Sequence, residues 1–219
     1  MQSERYFCWD LLLYSGGDRY AGGDGTDTFY ADWSTATESI VWDNDPAKTV
    51  TVQGAELSGL ERLLIVTGSG DDVIRNTEVN TNDYIDTGAG NDTIEAGRGN
   101  DTIFGGDCFD TAVFTGNFAD YSISYDGATA SFIVADHTAN RDGTDVMSAV
   151  ETFIFADVAK SSSDFIPDTV APTIAIFSPN DASNGVAIGS NILLTFNEPI
   201  QKGTGTIAIH SGSATEPVG

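Results

Sequence analysis

Residues 87–104 read TGAGNDTIE and then AGRGNDTIF, one nine-residue phrase written twice in succession. Each nonapeptide splits into a turn and a very short strand, which together make half a coil. Gly88 and Gly90, and again Gly97 and Gly99, suit backbone of positive φ or close approach, where a Cβ would clash. Thr93-Ile94-Glu95 and Thr102-Ile103-Phe104 have strand chemistry, and strand alternation turns Ile94 and Ile103 inward while their neighbours face out. Two nonads then complete a flattened coil of 18 residues. Such coils stack as parallel strands roughly 4.8 Å apart.

Stacking has an electrostatic consequence. Asp92 and Asp110 fall on one edge of successive coils, and Asp83 and Asp101 on the other. Bare carboxylates about 5 Å apart repel by roughly 1 kcal/mol in water and by several at an effective dielectric near 20. A positive charge has to sit between them. Glycine turns expose carbonyl oxygens, and carbonyls with carboxylates are the hard ligands that Ca²⁺ takes, about six to eight at a time. Each turn is therefore expected to be half a calcium site, completed by the turn one coil above.

The register extends further. Counting nines from Leu13, Gly22, Thr67, Glu78, Thr87, Ala96 and Gly105, the sixth place is always aspartate: Asp18, Asp27, Asp72, Asp83, Asp92, Asp101 and Asp110. The eighth place is apolar throughout, at Tyr20, Phe29, Ile74, Ile85, Ile94, Ile103 and Ala112. The fourth is Gly16, Gly25, Gly70, Gly90 or Gly99, with Thr81 and Cys108 as exceptions. Candidate metal residues are those aspartates with the turn glycines Gly22, Gly23, Gly25, Gly68, Gly70, Gly88, Gly90, Gly97, Gly99, Gly105 and Gly106. Ordinary Asp-Gly turns between strands are the plainer alternative, but they leave the shared register unexplained.

Gly22-Gly23-Asp24-Gly25-Thr26-Asp27-Thr28-Phe29 matches the GGxGxDxUx nonapeptide in full, and the copies from Thr67, Thr87 and Ala96 match in all but the first glycine. These residues resemble the RTX family, the repeats-in-toxin or hemolysin-type calcium-binding proteins. The resemblance implies an all-β right-handed parallel β-roll with Ca²⁺ between its turns, in a protein exported by type I secretion.

A net charge of −24 argues against nucleic acid as a partner and for cations. Cys8 and Cys108 form no CxxC motif and read as incidental free thiols. No apolar run reaches the length of a membrane span, and the start lacks the cationic head and cleavage site of a secretory signal peptide.

Residues 1–113 are expected to form the roll, with calcium-binding repeats at 13–30 and 67–113 and a non-repeat stretch at 31–66. Trp9 stands in the aspartate place of the nonad before Leu13, so either the roll starts at Leu13 or upstream chain is missing, and the second is the preferred expectation. Ile40-Val41-Trp42, Thr49-Val50-Thr51-Val52 and Leu63-Leu64-Ile65-Val66 are predicted to continue the coil without metal. Glu61 and Glu151 recur in similar strand contexts and are expected to bond to turns rather than act as catalytic acids. The spacing from Asp72 to Asp83 is eleven residues rather than nine, so the corner at 76–80 is expected to bind metal poorly. At the last turn Cys108 replaces glycine, where positive φ would be strained.

Residues 114–160 read as a β cap, with a hairpin turned at Asp126-Gly127. Within it Asn140 to Ser148 is a degenerate nonad, in which Asp142 and Asp145 either hold a further ion or form a plain turn. Residues 161–169 read as a linker. From Val170 the sequence VAPTIAIFSPNDASNGVAIGSNILLTFNEPI resembles the opening of bacterial Ig-like domains. Its predicted strands are Thr173 to Phe177, Val186 to Ile188, Ile192 to Phe196 and Thr206 to Ile209. A β-sandwich needs about 100 residues, so 170–219 is expected to be a partial domain of a longer chain with neighbouring domains.

His137 and His210 lie in different regions, and neither an HExxH helix nor a phosphate-binding loop is offered. The chain is therefore expected to have no catalytic residues. The preferred expectation is a secreted or cell-surface calcium-binding module of structural or adhesive role, facing an unknown surface or matrix ligand. The alternative is the non-catalytic secretion and folding module of an RTX protease or lipase.

Overall fold

A computed structural model of the chain describes residues 6–9, 18–179, 187 and 189–200. The chain forms two compact units, Met1–Pro167 and Asp168–Gly219.

In the first unit the strands run β1 (Tyr6–Trp9), β2 (Arg19–Ala21), β3 (Thr28–Asp32), β4 (Val41–Asp43), β5 (Val50–Val52), β6 (Ala55–Ser58) and β7 (Arg62–Val66). The repeat array supplies β8 (Val73–Arg75), β9 (Tyr84–Asp86), β10 (Thr93–Glu95), β11 (Thr102–Phe104) and β12 (Thr111–Val113). After it come β13 (Tyr121–Asp126), β14 (Ser131–Asp136), β15 (Thr144–Ser148), β16 (Thr152–Ile154) and β17 (Ala159–Ser161). One sheet has the order β1-β3-β7-β9-β11-β15-β14-β13 and the other β17-β16-β12-β10-β8-β4. Alternate nonads feed alternate sheets, so the chain winds as a β-roll. Pairing is parallel from β1 to β15 and from β4 to β16. Antiparallel strands then close both stacks.

Each short strand turns one side chain inward. Ala31, Ile65, Ile85, Ile103, Met147 and Phe132 share one row of partners, and Trp42, Ile74, Ile94, Ala112 and Phe153 the other. All are buried. A buried isoleucine contributes about 1.5–3 kcal/mol. That cannot hold a three-residue strand alone, so each coil depends on its neighbours. Aromatic clusters seal the rows, with Phe29, Trp33 and Trp42 at one end and Phe114, Tyr121 and Phe155 at the other.

The structure departs from the sequence reading in several places. Thr49 to Val52 does not continue the coil, because β5 pairs antiparallel with β6. Arg19–Ala21 joins this side sheet, with Arg19 opposite Glu56, instead of stacking in the roll. The nonad before Leu13 contributes β1, parallel to β3, so Trp9 lies in a strand and not at a turn. The hairpin loop spans the residues between paired Asp126 and Ser131, a wider turn than Asp126-Gly127 alone. Residues 161–165 are not a free linker: Ser162 N–H donates to Glu151 O at 2.9 Å, and the Phe165 ring packs 5.9 Å from that of Phe153.

The second unit contains β18 (Ile174–Ser178) and β19 (Leu193–Phe196), paired antiparallel. The predicted strand Thr206 to Ile209, and Val186 and Ile188, lie outside the described residues.

Candidate metal centre

Every array aspartate immediately precedes its strand, so strand register decides which aspartates meet. Asp72 N–H donates to Asp92 Oδ1 at 2.7 Å, Asp92 N–H to Asp110 Oδ1 at 2.9 Å, and Asp110 N–H to Glu151 Oε2 at 2.8 Å. On the opposite edge Leu63 N–H donates to Asp83 Oδ1 at 2.9 Å, Asp83 N–H to Asp101 Oδ1 at 2.8 Å, and Asp101 N–H to Asp145 Oδ1 at 2.9 Å. Two columns of carboxylates thus run along the two edges of the roll. One oxygen of each column aspartate is committed to the neighbouring coil.

The other oxygen separates the residues into two kinds. Oδ2 of Asp72, Asp92, Asp101 and Asp110 is buried and accepts no hydrogen bond. Thr67 and Thr87 lie beside the first two of these carboxylates, but their hydroxyls donate to Thr87 O at 3.0 Å and Gly105 O at 2.9 Å. Asp83 differs, because Asn76 Nδ2 donates to its Oδ2 at 2.6 Å. The corner expected to bind poorly is filled by protein donors.

The turn glycines let successive turns stack backbone on backbone beside these carboxylates. Gly90 (φ 135°) and Gly99 (φ 143°) take backbone that side chains disfavour. A Cβ would overlap Gly70 O at the first and Thr81 O at the second. Gly68, Gly88, Gly97, Gly105 and Gly106 are packed as closely on backbone of a neighbouring turn. Cys108 stands at φ 89°, the strained glycine place expected of it.

Burial of these acids without a counter-charge shows in their ionisation. Burial, with the Asp145 charge next, pushes the Asp101 carboxyl up to about 9. Burial raises Asp145 to about 8 and Asp83 and Asp110 to about 6. Asp72 and Asp92 are also raised, by burial first. An unpaired buried carboxylate costs several kcal/mol unless it is neutralised. The donor set is oxygen only, carboxylates plus glycine-turn carbonyls, and so fits Ca²⁺. Among the described residues no three His, Cys, Asp or Glu side chains cluster as a metal cage.

The first repeats are built differently. Asp27 is buried in the glycine turn and its N–H donates to Glu61 Oε2 at 2.7 Å, while Gly22, beside Gly23 and Gly25, abuts Gly59 O. Asp18 is half-buried, and its carbonyl accepts from Glu56 N–H at 2.8 Å. The strand after Asp18 does not join the roll's stack, since β2 pairs with β6. Glu61 and Glu151 do bond to turns, each holding the N–H of an aspartate. Sequence reasoning missed Asn76, which lies in the two-residue insertion and carries no repeat signal. His137 lies 2.6 Å from the Ser122 hydroxyl on the exposed hairpin, but no carboxylate is bonded to its ring among the described residues.

Fold and site together define a calcium-binding parallel β-roll. Residues 14–35 and 79–111 match the RTX calcium-binding nonapeptide repeat, in 4 copies. Residues 168–219 match the bacterial Ig-like domain. The chain thus carries RTX calcium-binding repeats and a bacterial Ig-like domain. No curated protein matches it. Asp72 and Asp145 lie outside the matched repeats, yet both extend the columns.

Proposed function

We propose that this chain is a structural, adhesive module of a secreted or cell-surface protein, exported by type I secretion and folded by calcium once outside. The observation that carries the reading is the run of buried carboxylate oxygens, at Asp72, Asp92, Asp110 and Asp101, that accept no hydrogen bond. Asp72, Asp92, Asp101 and Asp110, with the carbonyls of the glycine turns, would hold the ions. Asp83 serves through its bond to Asn76. Bound Ca²⁺ supplies the positive charge and oxygen coordination that paired carboxylates lack.

At cytoplasmic calcium the columns repel and the chain stays open. Extracellular sites bind at about 10⁻⁴ to 10⁻³ M, so folding is expected to follow export. The bacterial Ig-like match favours a surface structural role over the accessory module of an enzyme. No described helix is long and apolar enough to cross a membrane. The test is circular dichroism during titration with Ca²⁺ and, separately, Mg²⁺. Strand signal should grow with the first and far less with the second. Identical spectra in chelator and calcium would defeat the proposal.

A further inference from the structure

We propose that the outer face of the sheet that begins with β1, where Tyr30 and Tyr84 stand beside Asp32 and Asp86, is a docking strip for a β-1,4-linked amino-sugar polymer carrying free amines. The inference rests on the surface role proposed above and names its partner, but it uses none of the residues assigned to calcium.

Strand alternation puts Phe29 and Ala31 of β3 and Ile85 of β9 in the core, where all three are fully buried. It therefore turns Tyr30, Asp32, Tyr84 and Asp86 outward. The phrase Tyr-x-Asp, as Tyr30-Ala31-Asp32 and Tyr84-Ile85-Asp86, thus occurs twice on one face. Register aligns the two copies: Tyr30 pairs with Leu64 and Leu64 with Tyr84, while Asp32 pairs with Val66 and Val66 with Asp86. Two parallel rows result, one aromatic and one acidic, and in each the like residues lie two strand spacings apart, roughly 10 Å. Phe104 of β11 widens the platform, with its ring centroid 5.6 Å from that of Tyr84. Tyr30, Tyr84 and Phe104 are 42%, 36% and 37% exposed, a run of ring surface left to solvent.

Both carboxylates are fixed by the turns that follow them. Asp32 Oδ1 accepts Ser34 N–H at 3.0 Å, and Asp86 Oδ1 accepts Gly88 N–H at 3.2 Å. Among the described residues neither forms an ion pair. Arg62, on the same face, turns instead to Asn82, whose carbonyl accepts its Nε–H at 2.7 Å. Bonds from Ser34 hold the Asp32 carboxyl below the usual carboxylate range, so it is ionised. With the chain at −24, such a strip repels polyanions and suits a cation.

The repeat of the strip selects the kind of cation. Tyrosine ring faces are negative and attract both ammonium groups and the polarised C–H bonds of a sugar ring. In a β-1,4-linked chain each ring is flipped relative to the next, so the ring face and the side on which the 2-amine projects both recur at every second sugar. That period matches two strand spacings: one ring lies on Tyr30 with its ammonium at Asp32, and the ring after next on Tyr84 with its ammonium at Asp86. An extended lysine-rich peptide meets the charge but not the repeat, because its like-facing side chains recur about every 7 Å.

The test is calorimetric titration of the calcium-loaded chain with a β-1,4-linked glucosamine hexamer, at a pH where its amines are protonated. A salt concentration of about 0.15 M, with a Debye length of about 8 Å, suppresses diffuse attraction to the acidic surface. The hexamer should bind, and its fully N-acetylated form and cellohexaose should each bind at least about tenfold more weakly. Tyr84→Ala and Asp86→Asn should each weaken the glucosamine hexamer at least about fivefold. Tyr84→Phe, which keeps the ring, and Val41→Ala, at an exposed position on the other sheet, should leave it unchanged. Where Tyr84→Ala fails to fold, Asp86→Asn, which keeps an acceptor for Gly88 N–H, decides together with the acetylated hexamer. Equal binding of cellohexaose or of hexalysine overturns the inference, as does undiminished binding by Asp86→Asn. A hexamer that does not bind a chain seen by circular dichroism to fold on calcium overturns the strip alone, whereas a chain indifferent to calcium defeats the earlier reading.

Discussion

Asn76 donates to Asp83 Oδ2 at 2.6 Å and to Glu61 O at 2.8 Å, and accepts from Asn44 Nδ2 at 2.8 Å. A neutral amide thus does at one corner what a cation is proposed to do at the others. Asn76→Ala leaves a buried carboxylate oxygen bare, at an expected cost of about 1–3 kcal/mol. A urea midpoint measured with calcium present throughout checks this. Cys108 is the converse case. Its side chain is exposed while its φ is 89°. Cys108→Gly relieves backbone strain of order 1 kcal/mol, so the thermal midpoint is expected to rise.

At the scale of the strand and its turn, the aspartates act in pairs. Asp92 faces two gaps, one toward Asp72 and one toward Asp110. Asp92→Asn is expected to raise the calcium concentration at half-folding by about tenfold or more, equivalent to at least about 1.4 kcal/mol. Glu95→Gln should leave it unchanged in the same titration, because Glu95 pairs only across the surface with Arg75 at 3.3 Å. The pH response of the metal-free roll has a definite sign. Asp101 and Asp145 titrate at about 9 and about 8 in the fold, and unfolded aspartate near about 3.9. Their contribution is whole below the unfolded value and is lost as pH rises through the folded values. Strand content by circular dichroism in EGTA should therefore be greatest at low pH and fall as pH rises. In saturating calcium the thermal midpoint should fall instead on acidification, as protons displace the ion. The coils that repeat the nonapeptide were legible in the sequence because one motif fixes the turn, the inward residue and the carboxylate together. The β5–β6 hairpin was not, since its turn residues Gln53 (φ 47°) and Gly54 (φ 80°) take the left-handed backbone usually announced by Asn-Gly. Asp145 was visible only as half of an alternative. What settles its place is the return of β15 to β11, a long-range pairing that no local pattern encodes.

Over the whole molecule the net charge is −24, far more than the column aspartates account for. Raising NaCl from about 0.01 M to about 0.1 M shortens the Debye length from roughly 30 Å to roughly 10 Å and weakens this self-repulsion. In chelator, strand content by circular dichroism should grow over that range. With calcium present the same salt should weaken the ion's hold and lower the midpoint. The columns also have a polarity. In each of these bonds the amide belongs to the earlier residue and the carboxylate to the later one, from Ile40 with Asp72 to Asp110 with Glu151. Every coil is thus tied down by chain that has yet to follow it. Like a zip whose slider starts at its far end, the roll cut before Glu151 would leave its final tooth, the Asp110 amide, with nothing to grip.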